Sequence, residues 1–195
     1  MMLKITVITL SCFASLVLSQ CDKSILPELT YRLGGNNLEW PCHSTKNIYQ
    51  TTGRYMPRNI IGTRAQIYRD EAFVAMPRYK PGVPFTLGQI SLKKGSCHTA
   101  IAPYPCWSLQ EEGNCQALQS VVDIFLDNQD ILWALDTGIV NSLQQPVKRC
   151  AAKVVAIDVK TDRVVKVIDL SNLVVAASRL QYIVVDYDAA GRAYV

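Results

Sequence analysis

The stretch Phe125-Leu126-Asp127-Asn128-Gln129-Asp130-Ile131-Leu132-Trp133-Ala134-Leu135 decides the fold, because it reads as an apolar strand, an acidic turn and a second apolar strand. The same pattern stands earlier, where Ile67-Tyr68-Arg69-Asp70 leads into Ala72-Phe73-Val74-Ala75-Met76. It returns later, where Val184-Val185-Asp186 leads through Ala189-Ala190-Gly191 into Ala193-Tyr194-Val195. The copies recur every 57 to 59 residues. Hairpins at such a period predict propeller blades, since a small sheet cannot bury both faces until neighbours stack on it. The expected fold is all-β, a partial propeller of about two blades and the start of a third.

Working outward, further β-type runs are Phe85 to Leu92, Lys153 to Val159, Val164 to Leu170 and Tyr182 to Asp186. Lys160-Thr161-Asp162-Arg163 reads as the hairpin turn of the second blade's outer pair. Pro77, Pro81, Gly82 and Pro84 separate strands of the first blade, and Pro103, Pro105 and Gly113 punctuate the link to the second. A helical turn competes only around Cys115 to Val122 and Leu170 to Leu180. Residues 20–60 are less regular, and Leu38-Glu39-Trp40 is expected as a closing strand paired to the ring's final blade.

The N-terminus carries Lys4, an apolar run from Ile5 to Leu18, and small residues before Gln20. This is the layout of a secretory signal peptide over 1–19, and the run is shorter than the roughly 20 apolar residues a membrane span needs. A secreted, extracellular product over 20–195 is expected, with no membrane partner. Cys12 leaves with the signal. The remaining Cys21, Cys42, Cys97, Cys106, Cys115 and Cys150 are an even set, which in an exported chain favours disulfides, although sequence does not choose the pairing. No Cys-x-x-Cys pair supports a metal site, and none is expected. The formal charge of +4 falls to +3 without Lys4 and has no clustered basic stripe, so nucleic acid is not an expected partner.

Three motifs, Phe73-Val74-Ala75-Met76-Pro77-Arg78-Tyr79-Lys80-Pro81-Gly82-Val83-Pro84-Phe85-Thr86-Leu87, Pro103-Tyr104-Pro105-Cys106-Trp107 and Leu132-Trp133-Ala134-Leu135-Asp136-Thr137-Gly138, resemble the insect Yellow and major royal jelly protein family in order and spacing. The resemblance runs from about Leu38 to Val195. It implies a secreted six-bladed propeller about twice this length, of which residues 20–195 form the N-terminal part. It also implies a role in cuticle, eggshell or pigment (melanin) maturation, with an eggshell-associated branch suggested by the additional Cys42, Cys97 and Cys106 together with Gln181-Tyr182. Two alternatives accompany it: a dopachrome-converting enzyme, and a propeller that binds small aromatic amines. Cys115 and Cys150 stand where the family often has cysteine, and a further family cysteine is missing from the turn Asn128-Gln129-Asp130.

Propellers bind ligands where inner strands begin. That makes Gln119 and Ser120 in the second copy, and Gln181 and Tyr182 in the third, the candidate contacts for a catechol or biogenic amine. Family members often show Asn-Asp at the third position, so Gln181-Tyr182 removes a carboxylate and weakens a carboxylate-driven mechanism. With only His43 and His98, and no Gly-x-Ser-x-Gly, nothing forms a nucleophilic triad. Asp123, Asp127, Asp130 and Asp136 invite a calcium or acid–base reading, but strand-end Asp more often bonds its own backbone, and the turn role is favoured. Trp40, Trp107 and Trp133 could stack on an aromatic ligand, yet Trp133 alternates with apolar residues and is expected between blades. No cofactor is expected; the remaining partners are extracellular matrix or eggshell proteins. Binding is expected over catalysis.

Overall fold

The computed structural model describes residues 34–93, 100–175 and 177–195. The expected signal peptide, Cys21, Cys97 and His98 lie outside them. Two four-stranded antiparallel sheets dominate. The first is β1 (Arg64–Tyr68), β2 (Glu71–Ala75), β3 (Leu87–Ser91) and β4 (Ala102–Pro103), in that spatial order. The second takes β5 (Val121–Leu126) and β6 (Ile131–Asp136), then, after the short hairpin β7 (Ile139–Val140) and β8 (Val147–Lys148), β9 (Lys153–Asp158) and β10 (Arg163–Asp169). Its order is β10-β9-β6-β5, so β5 is one edge as β1 is in the first sheet. A last hairpin pairs β11 (Asp186–Tyr187) with β12 (Ala193–Tyr194). None of the sheets closes on itself, and the all-β arrangement is that of successive propeller blades.

Alternation explains why the central strands read as unbroken apolar runs. In β2 and the residue after it, Phe73 and Ala75 enter the core shared with the second sheet, while Ala72, Val74 and Met76 enter the core on the opposite face. In β6, Leu132 and Ala134 face the first sheet, and Trp133 and Leu135 face the third copy. Strand β9 repeats this with Val155 and Ile157 against Val154 and Ala156, which its register places opposite the matching β6 residues. Both faces are buried, so the polar half of an ordinary amphipathic strand is absent. Trp133 is 4% exposed between the second blade and Ile183 and Val185 of the third copy, as its spacing predicted.

Several elements differ from expectation. A helix, α1 (His43–Thr51), lies in the segment read as irregular. It has no side-chain N-cap bond and no buried residue. It is held from outside by Tyr49, whose ring meets Trp40 at 5.3 Å and Trp107 at 6.1 Å. The Cys115 to Val122 stretch forms turns that run straight into β5, and Leu170 closes a single turn through Val174 N–H (3.0 Å) without becoming a helix. Leu38 bridges Ile101 in parallel and Glu39 N–H donates to Ile101 carbonyl at 2.8 Å, so among the described residues this segment pairs with the first blade. Docking beside β4 covers that blade's outer edge. The third copy pairs at Asp186 and Tyr187, with Tyr182 to Val185 extended but unpaired to β12.

Candidate functional site at the inner strand ends

The edge strands β1 and β5 are joined by side chains one repeat apart. Thr63 Oγ1 donates to Val122 carbonyl (3.2 Å), Arg64 Nε donates to Asp123 Oδ1 (2.7 Å), and Gln66 Nε2 donates to Ile124 carbonyl (3.3 Å). The second oxygen of Asp123 accepts from Ile183 N–H at 2.9 Å, which carries the connection into the third copy. Asp123 can reach both neighbours because β5 carries a bulge: Val121 pairs with Asp136 but Asp123 with Leu135, leaving Val122 extra. The bulge resets the alternation, so that Val121 and Ile124 both face the first blade.

Arg64 holds a second contact, with its guanidinium 5.9 Å from the Tyr182 ring centre, inside cation–π range. Tyr182 is 74% exposed and Gln181 is exposed beside it. Tyr79 is half-buried near Tyr182; burial, and then the Tyr182 phenol, push its hydroxyl above the ordinary tyrosine value. The inner ends of the strands therefore gather Arg64, Tyr79, Asp123, Gln181 and Tyr182. Of these, Arg64 and Tyr79 were not singled out by sequence, since their roles appear only when residues 59 and more positions apart meet.

Gln119 and Ser120 are 0% and 1% exposed. Gln119 Oε1 accepts from Gly113 N–H at 2.8 Å, and its Nε2 donates to the Asn114 (2.7 Å) and Ala117 (3.1 Å) carbonyls. Ser120 Oγ accepts from Arg78 N–H at 3.1 Å. Their polar atoms are spent on the backbone, so their part in the site is to shape the approach to β5. Asp136 sits behind them, fully buried, accepting from the N–H groups of Gln119 (2.8 Å), Ser120 (2.8 Å) and Gly138 (2.9 Å), with Lys153 Nζ at 3.2 Å.

The other carboxylates follow the turn reading. Asp127 accepts from Gln129 N–H (2.8 Å) and Ile131 N–H (2.9 Å), and its second oxygen accepts from Trp133 Nε1 (2.7 Å) and the Tyr187 hydroxyl (2.5 Å). Burial alone would raise its pKa, but these four donors hold it below the ordinary carboxylate range. Asp130, at φ 64°, pairs with Lys160 at 2.6 Å. Among the described residues no group of three or more His, Cys, Asp or Glu is placed to hold a metal ion. No helix there is long and apolar enough to cross a membrane.

Cys115 and Cys150 form a disulfide that ties the approach to β5 to the segment before β9. Cys42 and Cys106, counted among the disulfide candidates, are free and exposed. Each precedes a helical turn and bonds a nearby hydroxyl instead, Cys42 to Ser44 (3.0 Å) and Cys106 to Ser108 (3.1 Å).

The major royal jelly protein family model matches residues 119–195, the stretch from the approach to β5 through the third copy. Major royal jelly protein 2 of Apis mellifera is 41% identical over 105 residues, covering 54% of this chain and 22% of its own length. The dopaminechrome tautomerase of Drosophila melanogaster is 33% identical over 116 residues, 58% of this chain and 25% of its own. Over these stretches the chain is similar to the Yellow and major royal jelly protein family. Its matched part spans about a quarter of these relatives' length. Within the family match fall Asp123, Gln181 and Tyr182, whereas Arg64 and Tyr79 lie before it.

Proposed function

We propose that the protein is an extracellular member of the royal jelly and Yellow family that binds a small aromatic ligand, a catechol or biogenic amine, at the inner strand ends. Its setting is cuticle, eggshell or pigment maturation. The observation that carries this reading is the state of Asp123. A carboxylate that acts as a general base must be free to take a proton near neutral pH. Asp123 is 3% exposed and both its oxygens are engaged within the fold, Oδ1 by Arg64 Nε at 2.7 Å and Oδ2 by Ile183 N–H at 2.9 Å, so neither is turned to a ligand. Around it, the Tyr182 ring, Gln181 and the half-buried Tyr79 offer stacking and hydrogen bonding, the equipment of a binding site.

A second reading is favoured by one comparison, the dopaminechrome tautomerase from Drosophila melanogaster. In that case the site would convert an oxidised catechol, with proton donors and acceptors placed around the ring. One experiment separates the two. The full-length protein is titrated with dopamine by tryptophan fluorescence and assayed for dopachrome loss. Saturable binding that weakens about tenfold in Tyr182→Ala, with loss no faster than buffer, supports binding; a single lost stacking contact is worth about that factor. Accelerated loss that disappears in Tyr182→Phe or Gln181→Ala makes the site catalytic.

A further inference from the structure

Away from the inner strand ends, a cavity of about 170 Å³ opens where α1, the loop leaving β2 and the loop after β7 meet. Its charged lining is Arg54, Arg78 and Glu112. Arg78 is 3% exposed, and all its donors end on backbone carbonyls: Nε on Val83 (3.0 Å), one terminal nitrogen on Leu118 (3.0 Å) and Gln119 (2.5 Å), the other on Pro84 (2.9 Å) and Gln110 (2.6 Å). No carboxylate forms an ion pair with it among the described residues, and the Glu112 and Asp136 carboxylates act on its charge only at longer range. Glu112 is turned to Arg149, which meets its Oε1 at 3.0 Å. Arg54 stands at the mouth, its guanidinium 4.6 Å over the Tyr49 ring and without a hydrogen bond or ion pair among the described residues.

Two guanidinium groups thus face a small space whose one carboxylate is paired with Arg149. We propose that this cavity is a binding site for a small oxyanion, an inorganic phosphate or a simple carboxylate, clasped by Arg54 and drawn by the buried charge of Arg78. Size supports the class: about 170 Å³ is room for roughly five or six waters, below the ~300 Å³ at which drug-sized ligand pockets begin. Arg54 has the free donors for a bidentate grip, and Asn141 also lines the cavity. Arg78 contributes field and shape only, since its donors are committed. Its pKa falls to about 10 because burial penalises the charge, and the Glu112 and Asp136 carboxylates offset only part of that penalty. A bound anion relieves it.

The test titrates the full chain by calorimetry with phosphate and with acetate at constant ionic strength. Saturable binding of either is expected, about tenfold weaker in Arg54→Gln, the loss of one charge-assisted hydrogen bond. Glu112→Gln is expected to tighten it several-fold by removing a like charge from the rim. The tighter of the two anions names the chemistry. Arg54 is exposed and its one contact is with the Tyr49 ring, so its substitution is expected to shift the melting temperature little, which separates lost binding from lost folding. Absence of saturable binding, unchanged binding in Arg54→Gln, or weaker binding in Glu112→Gln would each overturn the proposal.

Discussion

Arg64 and Asp123, 59 residues apart, meet at 2.7 Å across the two blades, and the separation is the repeat itself. Asp123 then reaches Ile183 N–H, 60 residues further on. Equivalent positions in successive hairpins become neighbours because each blade is a rotated copy of the last. A sequence period thereby becomes a contact between blades.

The two partners of that pair are not equal. Asp123→Ala is expected to cost about 1–3 kcal/mol, since it strands the buried Ile183 N–H as well as the guanidinium. Arg64→Ala is expected to cost less than Asp123→Ala, because the arginine side chain is 43% exposed and its end of the pair is screened by solvent. Urea unfolding of both variants measures the difference; equal costs would remove Asp123 from its role as the hinge between copies.

Arg78 supports five carbonyls at once, and Arg78→Met is expected to lose more than about 3 kcal/mol by leaving them buried without donors. Arg78→Lys recovers little. A lysine has one nitrogen and cannot span groups contributed by Val83, Gln110 and Gln119. Denaturation midpoints that rank lysine near wild type would show that charge, and not the fork, matters.

Asp127 makes the fold acid-sensitive. Its pKa is lower folded than unfolded, so its contribution is fully present above the ordinary carboxylate value of about 4 and is lost as pH falls through the folded value. Stability measured from pH 7 to pH 3 should decline in the wild type and decline less in Asp127→Asn. Trp133→Phe removes the indole donor and is expected to cost about 1–3 kcal/mol while keeping most of the packing.

Thiol chemistry should divide the described cysteines. Cys115 and Cys150 resist labelling, and replacing both by alanine costs about 3–4 kcal/mol for a crosslink spanning 35 residues. Cys42 is exposed, and its bonds from Ser44 and then Thr45 lower its thiol to about 7. Its alkylation rate should therefore rise through pH 7 as the thiolate forms. Mass spectrometry after brief iodoacetamide treatment at pH 6, 7 and 8 reads both outcomes.

Sequence alone determined the central strands of the two four-stranded sheets, their pairing into hairpins and the burial of Trp133, because strands buried on both faces must be apolar throughout and their turns must carry Asp and Gly. It also carried the family resemblance, through motifs local enough to read in order. The tertiary structure alone decided which of Gln119, Ser120, Gln181 and Tyr182 stay exposed. The first two sit over the buried Asp136 and Arg78, and no spacing in the chain announces that. It alone decided that Cys115 meets Cys150, and that α1 forms where Tyr49 finds Trp40 and Trp107, since nine residues without a cap bond or an apolar face carry no helical signal of their own. Arg64 against Asp123 belongs to the same class: contacts separated by a whole blade depend on how sheets stack, and a local reading of side-chain pattern has no access to that geometry.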